Sequence, residues 1–137
     1  AGVIGFCSGG RHTYLAACTV PGFDAAVDCW GGRVIAELPD DITPKRPKAP
    51  IEYSDKLQCP LLGIFGVTDT NPSPADVAKI DAELTRLGKW HEFHMYQDTG
   101  HGFQNFHSIE RYRERAARAS WHEMLAFFTE YLKRTPA

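Results

Sequence analysis

The stretch Gly5-Phe6-Cys7-Ser8-Gly9-Gly10 constrains this chain more than any other. Ahead of it, Ala1-Gly2-Val3-Ile4 is short and apolar and fits a buried parallel strand, Val3–Phe6. Behind it, residues 10–19, with Tyr14, Leu15, Ala16, Ala17 and Cys18, suit a helix. Strand, tight turn and helix are the setting in which G-x-S-x-G lifts a nucleophile to the apex of a strained turn. Here the middle residue is Cys7. Such a turn needs small neighbours, and Gly5, Gly9 and Gly10 are read as supplying them. A thiol at that apex meets the free N–H groups and dipole of a helix N-terminus, which favour thiolate.

Beyond the turn the chain alternates strand and helix. Phe23 to Trp30 reads as a second strand, closed by Gly31-Gly32. From Arg33 to Lys56 the pattern dissolves around Pro39, Pro44, Pro47 and Pro50, so a long irregular connection without a packed core of its own is expected. Pro60 to Gly66 is a near-continuous apolar run, as a buried parallel strand requires. Ser73-Pro74-Ala75-Asp76 opens a helix with Val77, Ile80, Leu84 and Leu87 on its buried face, and Gly88 stops it. Trp90 to Tyr96 alternates as a fourth strand. A last helix is expected from Ser108 to Lys133, burying Ala117, Trp121, Met124, Leu125, Phe128 and Leu132. Arg111, Arg113, Glu114, Arg115 and Arg118 are read as its solvated face. This alternation predicts an α/β fold, a mainly parallel sheet flanked by helices.

In parallel sheets chemistry collects at the carboxyl ends of the strands. Cys7 follows the first strand, Asp69 the third and His101 the fourth. Nucleophile, acid and base therefore come in that order along the chain. His101 is the expected base toward Cys7, Asp69 holds the imidazole, and the Ser8 N–H is the expected oxyanion donor. The reaction these groups suit is acyl transfer through a thioester.

The composition narrows the alternatives. The chain has 137 residues, a net charge of −2, 43 % hydrophobic and 23 % charged residues, which is a single globular unit with no broad attraction to nucleic acid or anionic membrane. No apolar run reaches a membrane span. Cys7, Cys18, Cys29 and Cys59 show no C-x-x-C spacing, and the last three read as reduced, buried thiols of a cytoplasmic protein. His91 and His94 lie three apart on a strand and so on opposite faces, which argues against a metal pair.

The chain resembles the C-terminal half of the dienelactone hydrolase family, the carboxymethylenebutenolidase-like α/β-hydrolases. The resemblance rests on Gly5 to Gly10, on Gly66-Val67-Thr68-Asp69 with Pro72 and Pro74 after it, and on Tyr96 through Gly100-His101-Gly102-Phe103. It runs on to Tyr131-Leu132. It implies hydrolysis of a lactone or carboxylic ester, with dienelactone going to maleylacetate as the founding activity. It implies Cys7, Asp69 and His101 as catalytic residues, and no metal or cofactor. The expected partner is a small-molecule ester or lactone.

Two departures accompany the resemblance. The family's N-terminal half has no counterpart here, so residues 1–137 are expected to be one incomplete α/β-hydrolase domain without its N-terminal strands, and with them the second oxyanion donor. Where the founding enzymes hold a substrate carboxylate with Arg, four residues after the catalytic His, this chain has Asn105. Asn105, Trp30 and Phe103 are candidate substrate contacts. The alternative reading is a catalytically incomplete half-domain, a fragment or an association module whose open sheet edge at Val3–Phe6 pairs with another copy or with the missing half.

Overall fold

The computed structural model describes residues 1–132. Four parallel strands form one sheet in the order β1 (Gly2–Phe6), β2 (Ala25–Cys29), β3 (Leu61–Gly66) and β4 (His91–Tyr96). Three helices accompany them: α1 (Ser8–Thr19), α2 (Pro74–Arg86) and α3 (Glu114–Tyr131). Each crossover steps to the next strand in the same direction. With right-handed connections that forces every crossover onto one face. Accordingly Tyr14, Cys18, Ile80 and Leu84 of α1 and α2 pack with Ala26 and Leu61 on one side. Ala117, Met124 and Phe127 of α3 cover Val27, Leu62 and Ile64 on the other.

α2 begins as its sequence demands. The Ser73 hydroxyl accepts from the Asp76 N–H at 3.2 Å, the Asp76 carboxylate accepts from the Ser73 N–H at 3.2 Å, and Pro74 takes the first turn. Gly88, at φ 67°, ends it. No helix among the described residues is long and apolar enough to cross a membrane.

Three expectations need correction. The 33–56 connection is not coreless: Val34 and Ala49 are buried, as is Leu57 just after it, and Pro39–Asp41 and Pro50–Lys56 form 3-10 turns. It docks on α1 through a buried hydrogen bond between the Tyr14 and Ser54 hydroxyls. Proline restricts φ without preventing burial of the apolar residues between prolines. Next, α3 starts at Glu114, not Ser108. The preceding turns are pinned by the Arg113 guanidinium, which donates to the carbonyls of Asp98, Glu110 and Tyr112 at 3.0 Å, so this side chain is not simply solvated. The expected end at Lys133 lies outside the described residues. Finally, α3 buries Ala116, Ala117, Ser120, Met124 and Phe127, while Trp121 and Leu125 are 43 % and 62 % exposed. A wide apolar stripe gives a helix two candidate faces, and only the sheet's position selects one.

The outer edge of β1 has no partner strand among the described residues, and Ile4 and Phe6 are exposed there. Phe6 packs against Trp121 with ring centroids 6.1 Å apart, so strand edge and helix share one apolar surface.

Candidate active site

Cys7 caps the N-terminus of α1 with φ 59° and ψ −122°, a backbone that L-residues rarely adopt. Its N–H donates to the Cys29 carbonyl at 3.0 Å and its carbonyl accepts from Gly10 N–H at 2.9 Å, so β2 and α1 hold the turn from both sides. A Cβ on Gly5 would lie 2.0 Å from the Gly9 carbonyl oxygen, and one on Gly10 would lie 2.3 Å from the Asp28 carboxylate. Those two glycines are required by close approach. Gly9 is not, since nothing lies within 4 Å of its notional Cβ.

The other two elements converge because β3 and β4 leave the sheet tied together. Val67 N–H donates to Tyr96 O at 3.0 Å and Thr68 N–H to Thr99 O at 2.9 Å. Asp69 and His101 are thereby brought side by side. Asp69 Oδ2 lies 2.7 Å from His101 Nδ1, and His101 Nε2 lies 3.0 Å from Cys7 Sγ. The second Asp69 oxygen accepts from the Asn71 N–H at 3.0 Å. Asp98, the neighbouring carboxylate, forms no hydrogen bond to the imidazole; it turns at φ 50° and its carbonyl receives Arg113.

The electrostatics follow from this geometry. His101 is pushed up to about 9, chiefly by its hydrogen bond to Asp69, against opposing burial and with Cys7 adding to the rise. The Cys7 thiol is lowered from its ordinary value, first by the hydrogen bond from His101 and further by the Ser8 backbone, with burial opposing. Both shifts favour a thiolate–imidazolium pair. Burial pushes the Cys18 thiol up to about 12 and raises Cys29 and Cys59 as well, so Cys7 is the exposed, activated thiol among four.

An open cleft of about 340 Å³ adjoins the pair, lined by Cys7, Ser8, Arg11, Gly32, Arg33, Asn71 and His101. Trp30 and Phe103 are not on its wall. They are 3 % and 0 % exposed, with ring centroids 4.9 Å apart, and the Trp30 and His101 rings meet edge to face with centroids 6.4 Å apart. Asn105 is exposed and its side chain accepts from the His107 N–H at 3.1 Å. Arg33, Gly32 and Asn71 escaped the sequence reading as site residues. Gly31-Gly32-Arg33 directly follows the carboxyl end of β2, and that position was the available signal.

The model of the dienelactone hydrolase family matches residues 1–132. The chain belongs to this family. A provisionally named carboxymethylenebutenolidase of Salmonella typhimurium is 33 % identical over 129 residues, covering 94 % of this chain and 46 % of that protein. A provisionally named 2-oxo-3-(5-oxofuran-2-ylidene)propanoate lactonase of Bradyrhizobium sp is 30 % identical, over 98 % of this chain and 52 % of its own length. Among solved structures, a provisionally named dienelactone hydrolase from Klebsiella pneumoniae superposes with TM-score 0.86 at 30 % identity, covering 95 % of this chain and 52 % of that one. The chain thus spans about half the length of the relatives it matches, and its fold is the α/β fold of that family.

Proposed function

We propose that this chain carries the catalytic groups of a hydrolase that cleaves a lactone or carboxylic ester through a thioester. One observation carries the reading: His101 bridges Cys7, at 3.0 Å, and Asp69, at 2.7 Å, with the thiol lowered and the imidazole raised. In this reading the Cys7 thiolate attacks the carbonyl carbon, and the resulting oxyanion accepts a hydrogen bond from the Ser8 N–H. The C–O bond breaks as His101 gives its proton to the leaving alkoxide, which leaves a thioester on Cys7. His101, now neutral, takes a proton from water, and the hydroxide displaces the thiolate to release the carboxylic acid. Asp69 keeps Nδ1 protonated throughout and stabilises the imidazolium.

The cleft's cations favour a substrate with a carboxylate or similar anion. Arg11 and Arg33 line both the cleft and a neighbouring cavity of about 170 Å³, whose wall adds Lys45, Arg46 and Lys48 against one carboxylate, Asp41. With Asn105 neutral, these cations are the ones placed to take over that charge.

The test is hydrolysis of p-nitrophenyl acetate and of a carboxylate-bearing enol lactone, with mass spectrometry of the quenched enzyme. An acyl adduct on Cys7, released by hydroxylamine, is expected. Turnover that survives Cys7→Ala would refute the reading.

A second reading, an incomplete half-domain that associates through the β1 edge, is favoured by the exposed Ile4, Phe6, Trp121 and Leu125. Fast alkylation of Cys7 without any ester turnover, together with self-association in sedimentation, would favour it over the first.

A further inference from the structure

On the side of the sheet away from α1 and α2, a second group of chemically capable side chains converges. Glu92 and His94 are two apart on β4 and so project from the same face. Their register partners on β3 are Leu62 and Ile64, which pack against α3. That face therefore meets α3, and α3 brings Glu123 to the same place. His94 Nε2 lies 3.5 Å from Glu92 Oε1 and 3.6 Å from Glu123 Oε2, and one ligand atom from each of the three residues lies within 4.8 Å of the others.

These separations do not suit hydrogen bonds, whose N–H···O distances fall at about 2.7–3.2 Å. His94 Nε2 is itself shut off from solvent and has no hydrogen-bond partner among the described residues. The spacing does suit ligands sharing an ion. Nitrogen and oxygen donors about 2.0–2.2 Å from a tetrahedral metal stand about 3.3–3.6 Å from each other. Two carboxylates converging on one face also concentrate negative charge.

We propose that Glu92, His94 and Glu123 form a binding site for Zn²⁺ that ties the edge strand β4 to α3. One imidazole with two carboxylates is a donor set for a borderline divalent ion, rather than for Mg²⁺ or Ca²⁺, which take oxygen ligands. Three protein ligands leave the fourth position to water. Glu92 and Glu123 are 48 % and 41 % exposed, so the ion exchanges with solvent and acts as a removable clip. This site is separate from Cys7, Asp69 and His101 and does not depend on the activity proposed for them.

The experiment uses the 137-residue chain carrying Cys7→Ala, which removes the thiolate that would otherwise compete for zinc. Titration calorimetry with Zn²⁺ should show one equivalent bound, and thermal unfolding should shift upward with added Zn²⁺. Co²⁺ should give a tetrahedral visible spectrum without a thiolate charge-transfer band. Adding His94→Gln should weaken Zn²⁺ binding by at least about tenfold and abolish the thermal shift, and Glu123→Gln should do the same. Both variants keep side-chain size at partly exposed positions, and circular dichroism checks their folding. No binding to the Cys7→Ala chain, binding undiminished by His94→Gln, or Mg²⁺ bound as tightly as Zn²⁺ would each overturn the proposal.

Discussion

Replacing Asp69 with an asparagine tests how far the imidazole depends on one carboxylate. Asp69 is the largest cause of the rise of His101 to about 9, and Cys7 contributes less, while burial opposes both. Without the carboxylate His101 should fall back to about 6.5 or below. At pH 8 an imidazole titrating near 9 is about 90 % protonated, and one near 6.5 about 3 %. The thiolate–imidazolium pair should therefore be about thirtyfold scarcer at that pH in the variant. The readout is the rate of Cys7 alkylation by iodoacetamide against pH, with ester hydrolysis measured beside it. The wild-type profile should carry an alkaline limb near pH 9, and Asp69→Asn should move it down by roughly 2.5 pH units. kcat should drop further than the ion-pair population alone requires, because the amide put in place of the carboxylate can hold the imidazole in the wrong tautomer. Asp98→Asn, as control, should leave the limb in place. A limb that stays near pH 9 in Asp69→Asn, or moves in Asp98→Asn, would refute the assignment of the acid.

Iodoacetamide at neutral pH should label Cys7 well before Cys18, Cys29 or Cys59, read by peptide mass mapping, since only Cys7 is exposed with a lowered pKa. Asp28 is fully buried and pushed up to about 7, against about 3.8 when unfolded, so the native state holds a proton that the unfolded chain has lost. Its stabilising contribution is fully present below about pH 4 and is lost as pH rises through about 7. Asp28→Asn should accordingly gain up to about 4 kcal/mol between about pH 4 and pH 8 relative to wild type in urea unfolding, and a gain that does not change with pH would contradict this. Gly5→Ala should cost about 3 kcal/mol or more, because its Cβ meets backbone, while Gly9→Ala should change thermal stability little; equal effects would contradict the packing described for the turn.

Much of this protein is legible in its order of residues. The strand–glycine–cysteine–helix run, the three apolar strands and the capping box at Ser73 are local signals. Each depends on neighbours within a few positions, so the sequence alone places β1, α1, β3 and α2 to within a residue or two. The positions of Cys7, Asp69 and His101 were legible for a related reason. Parallel strands put all their carboxyl ends at one edge, so residues just past three strand ends must come near one another. What the sequence could not supply was distance and orientation. That Asp69 rather than Asp98 reaches the imidazole depends on the Val67–Tyr96 and Thr68–Thr99 hydrogen bonds between segments far apart along the chain. That α3 buries Met124 and Phe127 and leaves Trp121 and Leu125 in solvent depends on where the sheet ends, which no helical periodicity encodes. Trp30 and Phe103 read as pocket residues because aromatic side chains suit either wall or core, and only the tertiary packing that buries both decides between them. The meeting of Glu92 and His94 with Glu123 likewise exists only after folding, since it brings a strand and a helix that are apart along the chain to one place.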